Sequence, residues 1–474
     1  MAAVVLAGTF RDPAGSLFDI DGRILRLVRP AEVGTFETLL GHEVLDRLVA
    51  RGAVVGTRRL EETELPDRLR GLTGAWFTHE RVPFVSVPAE WSAAMLADAA
   101  LHTLDINLEL VRHGFILKDA TPANVLFRGT EPVLVDVPSI EPLVAGRDIW
   151  IARHQFETTF LLPLMASLET GLPIKWSLAD PARGLGHEEF ARVLGTGRWW
   201  GADRIRHVAL PAALAASSVS HRERPAVPAA AASDAAMRRT KYVLERSIGT
   251  LRKAVARLAQ RVETRQSNWS AYEGTRSHYT EQDLDQKRAF VSLALESIAP
   301  EWALDVGANT GEFSEMAAKH ASVIAVDVDE VSVSRIYRRA RDSKRPIQPL
   351  VVDVTQPTPA AGWKNGERKS FLERARGRFD AVLMLAVGHH MRVTAGIPLA
   401  EIVDFGMSYG QEGLVFEFVP VSDPMFGTIA RGREPIYTDN TLENCRSLLG
   451  QRGRIIRQQT LANGRTLFLV TGAE

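Results

Sequence analysis

The sequence is poor in cysteine, in charge of one sign and in long apolar runs. Its one cysteine, Cys445, cannot build a disulfide framework or a cysteine zinc site, and we expect it to pack as a small apolar residue. The 57 basic residues balance the 57 acidic ones, so no overall field favours nucleic acid or an anionic membrane. No apolar run reaches membrane-spanning length, and the opening "MAAVVLAGTFRDPAG" lacks the basic start of a signal peptide. We therefore expect a soluble, cytoplasmic protein that acts on small molecules.

The length of 474 residues predicts two or three folded units, because single domains usually hold about 100–200 residues. Residues 211–236 are mostly Ala, Ser and Pro with little to bury, which is typical of a linker. We therefore divide the chain into an amino-terminal domain over 1–210, this linker, a connecting segment over 237–300 and a carboxy-terminal domain over 301–474.

Local patterns predict the main elements before residue 300. Residues 16–30 read as two short strands around an Asp-Gly turn, the strongest short-range hairpin signal. Residues 91–113 form a mostly apolar helical pattern. From Leu244 to Val262, apolar side chains recur at helical spacing with arginines and a lysine on the other faces. The neutral chain favours a solvent-exposed basic face on a bridging helix over a nucleic-acid surface.

From residue 301 onward, short β-rich runs alternate with stretches long enough for helices. This alternation predicts an α/β fold with a doubly wound, mainly parallel sheet covered by helices on both faces. The last stretch instead predicts a hairpin that turns at Asn463 and Gly464, and therefore an antiparallel edge.

The stretch "ALDVGANTGEFSEMA" predicts a ligand site at the carboxyl edge of this sheet. A strand ends at Asp305, and Gly307 and Gly311 flank the turn into a helix, where glycine lets the backbone bend and approach a ligand. The Gly-x-Gly-x-x-Gly spacing of a dinucleotide site is absent. Asp327 ends the second strand, where a carboxylate can accept two ribose hydroxyls, and Asp353 ends the third, near the place of an adenine.

These motifs resemble those of the class I S-adenosylmethionine-dependent methyltransferases. "LDVGANTGEF", "VIAVDVD" and "VVDV" match the first, second and third motifs of that group, and the resemblance covers about residues 265–474. It implies S-adenosylmethionine as the cofactor. It also implies roles for six residues: the methionine and ribose side for Asp305, Gly307, Asn309 and Gly311, the ribose hydroxyls for Asp327, and the adenine for Asp353.

Aromatic residues lie just before the first strand of this domain. Trp269 and Tyr279 fall where the related enzymes carry a lid over the cofactor, so the resemblance implies contact with the cofactor. The alternative is that these aromatics pack an amphipathic segment.

The ends of the fourth and fifth strands carry candidate catalytic residues. His389 and His390 follow the fourth strand, Glu417 lies in the fifth, and Asp423 follows the fifth, where the methyl acceptor would meet the cofactor. Transfer to a hydroxyl requires a base, and histidine titrates near neutral pH. The alternative is that the two histidines only shape the pocket. We expect no metal site, because no further histidine cluster accompanies the pair, and absence of an Asn/Asp-Pro-Pro-aromatic signature favours an oxygen acceptor.

A second motif lies in the amino-terminal domain, in "FILKDATPANVLFRGTEPVLVDVPSIE". Asp119 and Asn124 match the Asp-x-x-x-x-Asn of a kinase catalytic loop, and Asp136 matches the metal-binding Asp of the following strand. The domain therefore resembles kinase-like phosphotransferases, which implies a site for ATP with magnesium.

The kinase-like motif set is incomplete, however. Lys118 is the first lysine of the chain, so no earlier strand supplies the lysine that grips the nucleotide phosphates. Arg26 or Arg29 would replace it imperfectly, because a guanidinium is wider than an ammonium group. No glycine-rich phosphate loop precedes it either. We therefore expect a degenerate kinase-like domain with, at most, weak nucleotide binding.

Nearly the whole chain is similar to a bacterial methyltransferase family typified by rhizobial host-specificity nodulation proteins. The similarity includes "VPAEWSAAMLADAALHTLDINLEL", "LKDATPANVLF", "HQFETTFLLPL" and "LAVGHHM". It implies a methyltransferase, and its context favours a hydroxyl of a glycan or other small metabolite as the acceptor. Two alternatives stay open: a phosphotransferase or ATP-sensing module that uses Asp119, Asn124 and Asp136, and a scaffold with two degenerate pockets. The sequence leaves the oligomeric state open.

Overall fold

The computed structural model describes residues 4–5, 12, 14–178, 180–194, 207, 233–264 and 279–472. The chain forms two compact units, one made of Met1–Thr264 with Ala360–Arg368 and the other of Arg265–Pro359 with Lys369–Glu474. Most of the predicted linker lies outside the described residues. Its last three residues, 234–236, are helical instead, because the Ser233 hydroxyl accepts a hydrogen bond from the Ala236 backbone and caps a helix there.

The amino-terminal unit contains a five-stranded antiparallel sheet in the order β1-β2-β3-β5-β4. Its strands are β1 (Val4–Val5), β2 (Gly15–Ile20), β3 (Arg23–Val28), β4 (Thr57–Arg59) and β5 (Ala75–His79). The predicted hairpin is confirmed. Asp21 and Gly22 join β2 to β3 with φ of 49° and 77°, the positive values that a tight hairpin turn requires.

Two further strand pairs and seven helices complete the described part of this unit. Strand β6 (Phe115–Leu117) pairs with β9 (Ile140–Pro142), and β7 (Val125–Arg128) pairs with β8 (Glu131–Leu134). The helices are α1 (Pro30–Leu40), α2 (Glu43–Ala50), α3 (Ala93–Arg112), α4 (Arg153–Phe156), α5 (Leu162–Thr170), α6 (His187–Leu194) and α7 (Asp234–Glu263). A π-helical turn, Glu157–Leu161, connects α4 to α5.

Helix α7 packs along α3, so the compact amino-terminal unit includes the helix that the sequence analysis assigned to a connecting segment. Its apolar stripe is buried as the periodicity predicts, with Leu244, Ile248 and Leu251 fully inaccessible. Its arginines do not only face solvent. Arg252 makes a two-pronged ion pair with Asp105 of α3, with N–O distances of 2.5 and 3.1 Å.

The carboxy-terminal unit is built on a seven-stranded sheet in the order β12-β11-β10-β13-β14-β16-β15. Its strands are β10 (Trp302–Val306), β11 (Ser322–Asp327), β12 (Ile347–Val351), β13 (Phe379–Met384), β14 (Gly410–Phe418), β15 (Gly453–Thr460) and β16 (Thr466–Gly472). Strands β10 to β14 are parallel, and β16 pairs antiparallel with β14 and β15. The predicted α/β sheet with an antiparallel edge is therefore confirmed.

Helices follow these strands through the described part of the unit. They are α8 (Glu281–Ile298), α9 (Glu312–Ala317), α10 (Glu330–Ser343), α11 (Phe371–Ala375), α12 (Gly388–Thr394), α13 (Leu399–Tyr409), α14 (Pro424–Ala430) and α15 (Leu442–Arg452). Buried side chains of α8 and of the central strands share one apolar core. This core fixes the strand ends from which the candidate site is built.

Both outer strands of this sheet are irregular. Pro349 lies in β12, and a register shift between Ile455 and Arg457 interrupts the pairing of β15 with β16. Along the described residues, no helix is long and apolar enough to cross a membrane.

Candidate active site

The turn after β10 has a backbone that only glycine accommodates well. Gly307 and Gly311 have φ of +73° and +83°. A Cβ atom at Gly307 would lie 2.8 Å from Cγ2 of Val387, and one at Gly311 would lie 2.8 Å from Cγ1 of Ile336. Both distances are shorter than van der Waals contact allows. Each position therefore requires glycine for two reasons, its positive φ and its close neighbour.

Asp305 lies inside the sheet at this turn. Its side chain is buried, and its Oδ2 accepts a hydrogen bond of 2.6 Å from the Ser314 hydroxyl of α9. Burial raises the pKa of the Asp305 carboxyl to about 6, and the charge of Asp327 adds to this effect while the Ser314 hydrogen bond opposes it. The strand itself ends one residue later than predicted, at Val306.

Asp327 ends β11 as predicted, beside the glycine turn. Its Oδ2 accepts from the Asn309 backbone amide at 2.7 Å, and its Oδ1 accepts from the Asp329 backbone amide at 2.9 Å. Burial raises the pKa of this carboxyl, and the two backbone hydrogen bonds oppose the rise. Each oxygen keeps a lone pair for a further donor, so the carboxylate retains the capacity to hold two hydroxyl groups.

Asp353 lies two residues beyond the end of β12, so the prediction that the third strand ends at Asp353 was wrong by two residues. Its Oδ1 accepts from the backbone amide and the hydroxyl of Thr355, at 2.9 and 2.6 Å. These hydrogen bonds hold Asp353 in a local turn instead of an extended conformation, which explains why β12 ends before it.

The structure describes one of the two predicted lid residues. Trp269 lies outside the described residues. Tyr279 packs against the core of the sheet unit, and its hydroxyl donates a 2.6 Å hydrogen bond to Oε1 of Glu417. Tyr279 is therefore in contact with a predicted catalytic carboxylate.

Glu417 is fully buried near the end of β14, and its charge is matched. Lys287 Nζ of α8 lies 2.6 Å from Oε2, and Arg465 Nη1 lies 3.7 Å from Oε1. Burial alone would raise the pKa of Glu417, but these two cations hold it below its ordinary value. A carboxylate stabilised in this way is a poor proton acceptor, which is a difference from the catalytic role predicted for it.

Arg465, in the turn before β16, forms the other half of the same network. Its guanidinium binds Asp423 in a two-pronged geometry with N–O distances of 2.7 and 3.1 Å, and it donates to the Tyr279 hydroxyl. It also lies over the Tyr279 ring, 4.6 Å from the centroid. Both members of the Arg465–Asp423 pair are almost inaccessible to solvent. We call Tyr279, Lys287, Glu417, Asp423 and Arg465 the buried charge network.

His389 and His390 open helix α12, directly beyond β13. The preceding loop contains Ala386 at φ of 54°, a strained value for a residue with a Cβ atom. The two imidazole rings lie 4.2 Å apart. His389 is buried, and neither of its ring nitrogens has a hydrogen-bond partner among the described residues.

Both histidines are held in the neutral form. Burial lowers the pKa of His389 well below its ordinary value, and the neighbouring His390, Arg465 and Lys287 lower it further. Burial and Arg465 also lower the pKa of His390. A neutral imidazole with an unpaired nitrogen can accept a proton, and its lowered pKa makes it a weaker base than an ordinary histidine.

The residues in the described ranges form no cluster of three or more histidine, cysteine or acidic side chains suited to a metal ion.

The kinase-like residues come together in the amino-terminal unit. Asp119 follows β6, Asn124 ends a short 3-10 helix, and Asp136 follows β8. The Val135 amide donates to the Asn124 carbonyl at 2.9 Å. This hydrogen bond brings Asn124 next to the segment that carries Asp136. Burial raises the pKa of Asp136, and Arg26 opposes the rise.

Arg26 of β3 reaches this cluster, and its guanidinium is already bound by other protein groups. Its Nη1 lies 2.7 Å from Asp12, its Nη2 lies 3.5 Å from Asp136, and its Nε donates to Nε2 of His79 at 3.2 Å. Only 3% of Arg26 is exposed. A guanidinium held by three protein groups is poorly placed to follow a nucleotide phosphate.

Sequence reasoning missed two members of the buried charge network, Lys287 and Arg465. Lys287 belongs to an ordinary helical pattern, so no local signal marks it. Arg465 directly follows the Asn463–Gly464 turn, and its position opposite the end of β14 is set by the pairing of β14 with β16.

Comparisons with known proteins complete this picture. No family model matches the chain. Among solved structures, N-methyltransferase NodS from Bradyrhizobium japonicum WM9 is 16% identical, with 41% of this chain and 98% of NodS covered at a TM-score of 0.31. The bifunctional kinase-methyltransferase WbdD is 18% identical, with 42% of this chain and 41% of WbdD covered at 0.29. Similarities at this level add no argument to the fold described above.

One curated protein is similar over almost its whole length. Nodulation protein NoeA of Rhizobium meliloti (strain 1021) is 30% identical over 472 residues, which cover 99% of this chain and 96% of NoeA. The match therefore spans both compact units of this chain. The chain therefore belongs to the family of nodulation protein NoeA.

Proposed function

We propose that the carboxy-terminal unit is an S-adenosylmethionine-dependent methyltransferase that methylates a hydroxyl of a small molecule, such as a glycan or a secondary metabolite. One observation supports this proposal above the others. At the carboxyl edge of the parallel sheet, the glycine turn beside Asp327 packs against Val387, and the buried His389 two residues further on has two ring nitrogens without a hydrogen-bond partner among the described residues.

The glycine turn and its two aspartates would hold the cofactor. Gly307 and Gly311 give it room against the backbone, and Asp327 would accept the ribose hydroxyls. Asp305, although buried, would contribute negative charge near the positively charged cofactor. When bound, S-adenosylmethionine supplies an electrophilic methyl group on a sulfonium ion.

His389 is the favoured general base of the proposed reaction. His389 would take the hydroxyl proton at an unpaired ring nitrogen as the acceptor oxygen is methylated, and the sulfonium of the cofactor would become the thioether of S-adenosylhomocysteine. Glu417 and Asp423 are less suitable, because their oxygens are already bound by Lys287, Tyr279 and Arg465. In this scheme His390 packs against the base and Glu417 helps to order the site.

The His389→Gln variant tests the base. We expect the rate of methyl transfer from labelled cofactor to fall by about 10²–10⁴-fold with little change in cofactor affinity. The wild-type rate should fall only well below pH 6.5, as the lowered pKa of His389 is passed, because an imidazolium cannot accept a proton. This acid limb should be missing from the residual activity of the variant.

His320→Gln is the matched control, because His320 is an exposed histidine of the same unit. Its rate and pH profile should equal those of the wild type. Full activity of His389→Gln at neutral pH would exclude the base. A search for acceptors with labelled cofactor and fractionated metabolites would supply the substrate for these assays.

For the amino-terminal unit, we propose a kinase-like fold without phosphotransferase activity. The engagement of Arg26 by Asp12, Asp136 and His79 supports this, because a catalytic site needs a free cation for the phosphates. Purified protein should show no transfer of the γ-phosphate of ATP above background. Transfer that disappears in Asp119→Asn would instead favour a phosphotransferase.

A further inference from the structure

The glycine turn of the candidate cofactor site has a backbone that its own residues do not hold in place. Gly307, Asn309 and Gly311 all have positive φ, and the φ of 48° at Asn309 is a left-handed value for a residue with a Cβ atom. Such residues persist only where surrounding contacts fix them. Helix α9, which follows the turn, has six residues and is too short to be stable by itself. The turn therefore depends on contacts from other elements.

Arg339 of α10 supplies a contact to the backbone of this turn. Its Nη2 donates to the carbonyl oxygen of Thr310, and the same nitrogen lies 2.8 Å from Oε1 of Glu315 in α9. On the other side of the same peptide group, the Gly311 amide donates to the Ala308 carbonyl at 2.7 Å. The peptide between Thr310 and Gly311 is therefore held at both of its polar atoms.

Helix α10 links the glycine turn to the proposed ribose side of the site. It begins three residues after Asp327, whose carboxylate accepts the Asn309 amide. Its Ile336 packs against Gly311. Arg339 lies three residues further along the helix, and therefore on the same face as Ile336. The face of α10 that packs on the turn thus ends in the guanidinium that binds it.

We propose that Arg339 is a positioning residue for the cofactor, and that it holds the glycine turn in the conformation that receives the methionine side of S-adenosylmethionine. This inference rests on the proposed function and adds to it, because it assigns cofactor binding to a residue that acts through the Thr310 peptide. A guanidinium suits this role, since one planar group can donate to a carbonyl and to a carboxylate. Without it the turn samples other conformations, and the affinity falls with the fraction of molecules in the competent one.

The variant Arg339→Met removes the guanidinium and keeps much of the apolar stem. Calorimetry with S-adenosylhomocysteine should show an affinity about tenfold below that of the wild type, as expected if the competent turn falls to about a tenth of the population. Adenosine lacks the methionine tail, so its affinity should fall much less. A general loss of structure would instead lower both affinities equally and would lower the free energy of unfolding as well.

Three further variants separate the contact to Thr310 from charge and from the ion pair. Arg339→Lys keeps a cation and should recover part of the affinity that Arg339→Met loses. Glu315→Gln removes the ion pair and leaves the bond to Thr310, so it should bind S-adenosylhomocysteine more tightly than Arg339→Met does. Arg345→Met is the matched control, because Arg345 is an exposed cation just beyond α10, and its affinity should equal that of the wild type.

Hydrogen exchange in the cofactor-free protein gives a second readout. The Gly311 amide should exchange about tenfold faster in Arg339→Met than in the wild type, because its peptide has lost one of two contacts. Wild-type affinity or unchanged Gly311 exchange in Arg339→Met would overturn the proposal, and so would equal losses of affinity in Arg345→Met. Absence of S-adenosylhomocysteine binding by the wild type would refute the proposed methyltransferase and this inference together, whereas the preceding outcomes refute the inference alone.

Discussion

Asp327 is a carboxylate that the backbone orients and that we propose as a cofactor ligand. Its two oxygens already accept the Asn309 and Asp329 amides, which orient the carboxylate for further donors. In Asp327→Ala, the loss of charge-assisted hydrogen bonds worth about 1.5–3 kcal/mol each should reduce cofactor affinity at least tenfold. Calorimetry with S-adenosylmethionine measures the change. The exposed Asp342→Ala serves as the control, and equal affinity in both variants would contradict the assignment of Asp327.

The proposed role of Asp305 predicts that cofactor binding is sensitive to acid. Burial raises the pKa of its carboxyl to about 6, so this group is anionic above that value and becomes neutral below it. We expect the affinity for the positively charged S-adenosylmethionine to decline as the pH falls through about 6. The uncharged thioether S-adenosylhomocysteine should show a weaker decline.

Asp305→Asn is the matching variant for this titration. Its affinity should be lower at pH 7.5 and nearly constant between pH 5 and 7.5, because no proton is exchanged at that position. Calorimetry across this range gives the comparison. A decline of the same size in wild type and variant would assign the effect to another group.

The residues of the site differ in how far the sequence could predict them. Asp305, Gly307, Gly311 and Asp327 belong to short stretches whose turn chemistry is local, so their placement follows from the sequence. The buried charge network depends on distant contacts, since the Tyr279 hydroxyl meets groups 138 and 186 residues further along the chain. No local pattern can report that Glu417 would find two cations, so its predicted catalytic role could not be judged without the fold.

At the scale of elements, the link between β13 and α12 carries strain. Ala386 has a φ of 54°, which costs a residue with a Cβ atom about 1–2 kcal/mol relative to the right-handed region. Ala386→Gly should therefore raise the free energy of unfolding of this unit by about 0.5–1 kcal/mol, after the larger entropy loss of glycine is subtracted. Chemical denaturation followed by tryptophan fluorescence would measure it.

Ala395→Gly provides the control for that substitution. Ala395 ends α12 at φ of −96°, a value without strain, so glycine there should lower stability slightly. Destabilisation by both glycines would show that Ala386 is not strained. If Ala386→Gly is stabilised but less active, the strain contributes to the orientation of His389.

The elements that the sequence predicted best are those with strong local patterns. The β2–β3 hairpin, helix α3 and the β15–β16 hairpin appear where the patterns place them. The π-helical turn at Glu157–Leu161 was not predicted, because its register depends on buried contacts rather than on periodicity. The start of α7 at Asp234 was also missed, since a serine cap was hidden in an alanine-rich stretch.

At the scale of the molecule, buried histidines make stability depend on pH. Burial, with a smaller effect of Arg26, lowers the pKa of His79 to about 3. The unfolded chain takes up this proton below about pH 6.5, whereas the folded unit resists it until about pH 3. The His79 contribution to stability is therefore complete above pH 6.5 and is lost progressively toward pH 3.

Replacement of His79 by Asn should flatten this dependence. Between pH 6 and pH 4, the slope of unfolding free energy against pH should decrease by up to about 1.4 kcal/mol per pH unit. Urea denaturation at a series of pH values would measure the slope. The exposed His320→Asn should leave it unchanged, and an unaltered slope in His79→Asn would contradict a neutral His79.

The irregular outer strands of the large sheet bear on how the protein behaves in concentrated solution. Pro349 removes a backbone donor from β12, while the register shift and the exposed Arg454 and Arg457 interrupt and charge the rim of β15. A strand from another molecule finds neither a continuous ladder nor a neutral surface to extend. The exposed rim of β15 should therefore resist edge-to-edge pairing when many copies are crowded together, and light scattering should show that Arg454→Thr/Arg457→Thr aggregates more readily than the wild type.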